Sequence, residues 1–515
     1  MVPAHAAAVG PLCDGKVPVQ TCQGTTSDGA PYVMMVPANF NGMVALYSHG
    51  YRYNIDIPAG IPVVGGYKIT NTPEPVPGGN PTVANYFLSN GMAIMGSGFS
   101  RQGWNLDAAV ATNVELIDTF KKKFTATTKV VAWGSSLGGI ITQTLAEKNP
   151  TLVSAVAPMC MADNIDAQLT AAGDFLWGLK TFFDPTIKGG NYSAGALGNA
   201  EALGDIVKVL TVMGKLQAAV ATGAWPDTSS PAGKQLAAAG IPSRSALLLA
   251  GLMAGIPTQS AHFDSISGPE GALKLSFPLA VSPALAVLEN GANAAILAIL
   301  ATQDVELQAG GSVFDNSSTD YSARISDSRD VFNAGLSGNT AIEAMLGVLK
   351  MSPRAKATAN LSKLAKTTGK INVPTVFMTG VADPVTPAGA TQRVLDKYAE
   401  QFAAEKEAAA KASYNGGAFV PAKSKVLALW SVTPKSWTKF DAAGSPITAG
   451  VAAAPGTNHC NFTTANYLTA AKFMVEGGTN GSITWNAAAM AAVRKSKGLL
   501  VDPNFRAPLL KFYGE

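Results

Sequence analysis

Over its first third the chain alternates between short apolar or β-branched runs and longer stretches with helical spacing. Residues 32–36, 43–48 and 92–96 are short strand-like runs. Residues 108–124 repeat apolar positions at helical intervals and end in Lys121-Lys122-Lys123. A β-branched run at 129–133 leads directly into a glycine-rich turn. Residues 137–148 read as a helix stopped by Asn149-Pro150, and 152–158 as the next strand. Short apolar runs between turn residues mark buried strands, and a 3.6-residue repeat marks a helix face. Strands alternating with helices predict a largely parallel sheet covered on both faces.

The pattern changes between 161 and 370. Strand signals fade, and helices are predicted at 167–182, 201–221, 243–254, 283–301 and 340–351, separated by Gly/Pro/Ser-rich connections. The chain has no clear internal repeat. The sheet pattern returns at 373–378, followed by a helix at 388–412 and a strand at 425–432. A chain of 515 residues is too long for one compact core. Sheet, helical insert, sheet is the order of one α/β core, residues 1–160 and 371–515, carrying a helical cap at 161–370. Two serial domains would not return to the sheet.

Composition narrows the picture. Hydrophobic residues make up 47% and charged residues 14%, against about 25% charged in an ordinary chain, which excludes disorder. Net charge is +4 from 38 basic and 34 acidic residues, and no basic run exceeds three lysines. Nucleic-acid binding therefore has no electrostatic footprint. The most apolar stretches are 245–256, which is short, and 284–300, which Glu289 and Asn293 interrupt. Neither reaches about 18 uninterrupted apolar residues, so buried helices or a greasy lid are expected rather than stable membrane insertion. The small residues of Met1-Val2-Pro3-Ala4-His5-Ala6-Ala7-Ala8 look like the tail of a secretory signal, and a secreted or periplasmic protein is the expectation.

The strongest chemical feature is Gly134-Ser135-Ser136-Leu137-Gly138, between a predicted strand and a predicted helix. A sharp turn there exposes the middle serine at a helix N-terminus, where the dipole favours developing negative charge. Small residues at 134 and 138 keep neighbouring backbone clear. The competing reading is a glycine-rich turn without chemistry. A serine hydroxyl needs a base, and the chain has four histidines. His5 lies in the terminal segment, His262 in the insert without a partner motif, and His49 at the end of an early strand. His459, in Pro455-Gly456-Thr457-Asn458-His459-Cys460, is the remaining candidate. The acid that orients it is expected at Asp383, in Thr379-Gly380-Val381-Ala382-Asp383-Pro384, with Asp163 or Asp166 as alternatives. For the oxyanion the Leu137 amide is one expected donor, and Gly50 or Tyr51, in Ser48-His49-Gly50-Tyr51, supplies the other. Tyr51 and Tyr53 are candidates to line an acyl pocket, and His49 then anchors its loop.

These motifs, over about 1–160 and 370–480, resemble the α/β-hydrolase superfamily, specifically its exported esterases and lipases with large helical caps. The resemblance implies an α/β-hydrolase fold, the chain order Ser136, Asp383, His459, and hydrolysis of a carboxylic ester through an acyl-enzyme. The His459-Cys460 pair is similar to the tannase and feruloyl esterase group, where a disulfide ties the histidine loop to a cysteine beside the nucleophile. Position 135 here is Ser, so that pairing is absent. Cys160 ends the strand after the elbow helix and is expected at the same sheet edge. A Cys160–Cys460 disulfide is therefore predicted, the alternative being two buried thiols. Cys13 and Cys22 are close enough to close a small loop, and export would let all four cysteines pair.

No cysteine sits in a CxxC pair. The histidines have no HxxxH or HExxH spacing, and no GxGxxG follows a strand, so neither a metal nor a cofactor is expected. The substrate expected is an apolar small-molecule or polymeric carboxylic ester. An aminopeptidase would need an acidic patch, for which Glu201, Asp205 and Asp163 offer no grouping motif. An acyltransferase would use the same triad while excluding water, and a binding protein on a dead hydrolase fold is the non-catalytic alternative.

Overall fold

The computed structural model describes residues 9–507 except 16, 62–64, 270–279, 327–337, 365, 415–422, 497 and 503. The small-residue start at 1–8, with His5, lies outside the described residues. The first five strands are β1 (Val9–Cys13), β2 (Val19–Thr25), β3 (Pro31–Pro37), β4 (Met43–Ser48) and β5 (Ala93–Ser97). Then come β6 (Lys129–Ser135), β7 (Ala155–Met159), β8 (Thr375–Gly380), β9 (Val426–Ser431) and β10 (Leu499–Leu500). All lie in one sheet, in the order β1-β2-β3-β5-β4-β6-β7-β8-β9-β10. From β5 to β9 every pairing is parallel, while β1, β2, β3 and β10 join antiparallel at the two edges.

The central strands are apolar on both faces because both faces are covered. Successive side chains of β6 show this. Val130 and Ala132 pack with Ile117 and Phe120 of α2 (Leu106–Lys123), Ile140 and Leu145 of α3 (Leu137–Lys148), and Val394 of α11 (Ala388–Tyr414). Val131 and Trp133 pack on the other face with Phe87 of α1 (Pro81–Ser89) and Ala470 and Met474 of α12 (Thr464–Asn480). A further helix, α13 (Ala487–Lys495), precedes β10.

Between β7 and β8 lie α4 (Ile165–Phe182), α5 (Gly195–Ala219), α6 (Pro231–Ala238), α7 (Ser243–Met253), α8 (Ser282–Ala309), α9 (Tyr321–Arg324) and α10 (Asn339–Met351). They share a separate hydrophobic cluster, with Phe175, Val209, Leu248, Leu285 and Ile296 fully or almost fully buried. Ile55, Ile57 and Ile61, which follow β4, pack into the same cluster. The cap thus borrows a segment from outside the 161–370 insert.

Several elements depart from the sequence pattern. The strands β1, β2 and β10 and the helices α1, α6, α9 and α13 had no clear signal. Helix α8 runs on to Ala309, eight residues past its expected end at 301. The extension is polar, with Thr302, Gln303, Asp304 and Glu306, yet all four are buried. Asp304 accepts from Asn54 Nδ2 (2.9 Å), the Trp104 amide (2.7 Å), Gln308 (3.0 Å) and Arg101. Buried polar groups with partners continue a helix that apolar periodicity cannot trace. By length and composition α8 can cross a membrane, but most of it is buried inside the cap.

Candidate active site

Strand β6 ends at Ser135, and Ser136 caps α3 with φ 60° and ψ −122°. Such a backbone costs about 1–3 kcal/mol in a non-glycine residue. The turn is held by Ser136 N–H donating to the Met159 carbonyl (3.0 Å), and by the Ser136 carbonyl accepting from Gly139 (2.9 Å) and Ala162 (3.1 Å). A Cβ at Gly134 would lie 2.2 Å from the Gly138 carbonyl oxygen, and one at Gly138 would lie 2.0 Å from the Ser48 oxygen. Only glycine fits either place. These contacts lift the Ser136 hydroxyl to the carboxyl edge of the sheet.

Asp383 follows β8 and is buried. Its Oδ1 accepts from the Val385 and Thr386 amides, both at 2.9 Å, and its Oδ2 from the Cys460 amide at 3.1 Å. His459 Nδ1 lies 3.0 Å from each carboxylate oxygen, and Nε2 lies 2.8 Å from Ser136 Oγ. With Nδ1 donating to Asp383, Nε2 is left as the acceptor for the serine hydroxyl. Ala382 N–H donates to the Gly456 carbonyl at 2.8 Å, tying the acid loop to the histidine loop. Cys460 is joined to Cys160 across a Cα separation of 5.5 Å, and Cys13 to Cys22 across the β1–β2 ladder. Among the described residues, Asp383, His459 and Cys460 are the one cluster with metal-type ligand atoms close together. The Cys460 sulfur is committed to its disulfide, which leaves too few ligands for a structural site.

The alternative acids do other work. Asp163 is buried against Arg393, with a 3.1 Å contact to Nε and a second to the guanidinium. Asp166 pairs with Lys366 near the surface. His262, which lies in the insert without a partner motif, pairs with Glu289 at 2.5 Å within the cap. His49 Nδ1 donates to the Gly50 carbonyl (2.7 Å), and the ring packs on Phe99. Burial, reinforced by the Arg52 charge, lowers its pKa to about 4, so it is neutral at pH 7. Gly50 is pressed against the elbow: a Cβ there would lie 3.2 Å from Ser136 Cβ and 3.3 Å from the Ser135 carbonyl oxygen. The Tyr51 hydroxyl is buried with no hydrogen-bond partner among the described residues, and burial pushes its pKa well up.

Two cavities meet at Ser136. The inner one, about 90 Å³, is lined by Leu137, Ile165, Leu169, Phe175, Ala298 and other mostly apolar residues of α4, α8 and the loop after β8. The outer one, about 480 Å³, is lined by Gly50, Tyr53, Asn293, Val385, Asn458 and His459 among others. Tyr51 and Ser136 border both. No carboxylate side chain lines either cavity among the described residues. Trp104, Gln168, Asn293 and Leu297 at these walls carry no motif. Thr386, whose Oγ1 lies 3.4 Å from His459 Nδ1, sits three residues past Asp383, where a search of the acid loop would have found it.

No family model matches the chain, and no curated protein matches it in sequence. Solved structures similar to it include feruloyl esterase B from Aspergillus oryzae, 11% identical over 90% of this chain and 81% of that one, with a TM-score of 0.38. An acetyl xylan esterase from Aspergillus awamori is 18% identical over 27% and 50%, at 0.20. An esterase from Pyrococcus furiosus is 10% identical over 33% and 59%, at 0.22. Likenesses this distant lend no residue role. The class rests on the chain itself. A mostly parallel sheet with helices on both faces, a strand–elbow–helix at Ser136 and the order Ser136, Asp383, His459 define an α/β-hydrolase fold. Within that fold the chain is a capped form, its helical layer entering between β7 and β8.

Proposed function

We propose that the protein is a serine hydrolase that cleaves carboxylic esters with an apolar acyl group. The observation that carries this reading is the 2.8 Å contact of His459 Nε2 with Ser136 Oγ, backed by Asp383 at 3.0 Å from Nδ1. His459 takes the serine proton as Oγ attacks the ester carbon, and Asp383 stabilises the imidazolium. The Leu137 amide and a backbone amide at Gly50 or Tyr51 receive the oxyanion. The imidazolium then protonates the departing alkoxide. Water repeats the sequence on the acyl-enzyme and releases the acid. The apolar inner cavity supports an alkyl or aryl acyl group.

The aminopeptidase alternative needs a carboxylate near Ser136 to hold an amino terminus. Glu201 and Asp205 are instead engaged by Lys188, Ser193 and Tyr192 in the cap. Two disulfides fit an oxidising compartment and support a secreted or periplasmic location.

The test is hydrolysis of p-nitrophenyl butanoate by wild type and Ser136→Ala, beside an aminoacyl anilide. The variant should lose about 10⁴-fold or more in kcat, and the anilide should react poorly. Full ester hydrolysis by Ser136→Ala would sink the proposal.

A further inference from the structure

The cap helix α8 forms one wall of three successive cavities. Ala294, Ala298 and Ala301 face the inner cavity, and Leu297 borders both inner and outer ones. Asn293 borders the outer cavity and a third cleft of about 550 Å³, which Leu285, Leu288, Glu289 and Ala292 continue. These positions recur at three- and four-residue intervals, so they lie on neighbouring rows of one helix. From Leu297 to Leu285 the wall runs about 18 Å, at 1.5 Å per residue.

We infer, resting on the Ser136 reading, that the substrate is an extended ester: a short apolar acyl group points inward, and a linear alcohol chain bearing acceptor oxygens lies outward along α8. The direction follows from the base. His459 lines the outer cavity and not the inner one. The group that protonates the leaving oxygen must lie on the alcohol's side of the ester. The alcohol therefore leaves through the outer cavity, and the acyl group occupies the inner one.

The extension follows from size and chemistry. Outer cavity and cleft, about 480 and 550 Å³, are each large enough for a drug-sized ligand and far exceed a small alcohol. The cleft presents exposed amide and hydroxyl groups from Gln217, Asn293 and Thr448 beside apolar Leu210 and Phe263. Its carboxylate, Glu289, is already bound by His262 Nδ1 (2.5 Å), the Ser260 hydroxyl (2.5 Å) and the His262 amide (3.2 Å). Glu289 thus does not single out a cationic ligand. Neutral donors beside an apolar wall suit a chain with ether or ester oxygens at intervals, such as an oligoester or an oligoether.

Gly214 of α5 lines the cleft, and a Cβ there meets nothing within 4 Å. Gly214→Phe therefore fills the cleft without a backbone collision, and Gly214→Ala is its control. The probes are butanoate esters of 2-methoxyethanol and of tetraethylene glycol monomethyl ether, whose leaving oxygens are chemically matched. Wild type should turn over the longer ester with kcat/KM at least about tenfold higher. Gly214→Phe should lose that gain and hydrolyse the short ester within about twofold of wild type, while Gly214→Ala keeps both rates. Equal kcat/KM for the two esters in wild type, or a gain that survives Gly214→Phe, overturns the extended site and leaves the Ser136 reading standing. No turnover of either ester removes that reading and this inference with it.

Discussion

Asp383 is fixed from three sides before His459 reaches it. The amides of Val385, Thr386 and Cys460 all donate to its carboxylate. An asparagine there keeps the shape but offers one oxygen and a donor NH₂. Its oxygen satisfies the amides of one side only, and the NH₂ faces either the Cys460 amide or His459 Nδ1. The imidazole then favours the tautomer with a proton on Nε2, which cannot accept from Ser136. Asp383→Asn is expected to lower kcat by about 10³–10⁴ with little change in KM, measured on a p-nitrophenyl ester. A variant within about tenfold of wild type would reassign the acid. Gly50 makes a second residue-scale case. The Cβ of Gly50→Ala meets the Ser136 Cβ at 3.2 Å, so the loop must shift by a few tenths of an ångström from the position in which we propose that it offers an amide to the oxyanion. A loss of about 10–100-fold in kcat, below the 10²–10³ of deleting an oxyanion donor, should accompany an unchanged fold by circular dichroism. At this scale much was legible. Gly134 and Gly138 are forced by contacts with backbone oxygens, so the motif survives in the sequence. Asn293, Trp104 and Leu297 were illegible, because what puts them at the cavity walls is the seating of the cap.

Element by element, legibility followed burial on both faces. Strands β4, β6, β7 and β8 are buried at nearly every residue and read as apolar runs. Strand β2, with the sequence Val-Gln-Thr-Cys-Gln-Gly-Thr, lies near the sheet edge with one residue buried, and its polar alternation resembles a loop. The histidine loop gains what a strand would gain from pairing by a covalent tie. Cys160 ends β7, Cys460 adjoins His459, and their disulfide closes a sequence separation of 300 residues. Chain entropy assigns such a closure about 5–6 kcal/mol. The Cys13–Cys22 closure spans 9 residues and lies at the far edge of the sheet. Replacing Cys160 and Cys460 together by serine should lower both Tm and kcat, because His459 loses its anchor. Replacing Cys13 and Cys22 should lower Tm and leave kcat within about twofold. Thermal melts and ester kinetics on the two double variants separate these outcomes, and equal kcat in both would remove the link between the disulfide and His459.

For the molecule as a whole, the change of periodicity near 161 and its return near 373 made the sheet–insert–sheet order readable. How the cap is fastened was not readable, because the fastenings are single residues far apart in sequence. Asp264, between α7 and α8, is the clearest. Its carboxylate accepts from the Trp437 amide (2.9 Å), the Thr438 amide (3.0 Å) and the Ser436 hydroxyl (3.1 Å), all in the core segment after β9. On the cap side it accepts from the amides of Ile266 (2.9 Å) and Ser267 (2.7 Å) and the hydroxyls of Ser267 (2.8 Å) and Ser282 (3.2 Å). Burial alone would raise its pKa. The hydrogen bonds from Thr438, Ile266, Trp437 and Ser267 outweigh burial and hold it well below the ordinary aspartate value of 3.8. The unfolded chain therefore binds the proton first as pH falls. The stabilisation is fully present above about pH 4 and is lost as pH drops from there toward the folded-state value. Asp264→Asn should melt several degrees below wild type at pH 7, and that gap should narrow below about pH 4. Melting both proteins across this range checks the clamp, because a gap of constant size would mean that the loss comes from shape and not from charge.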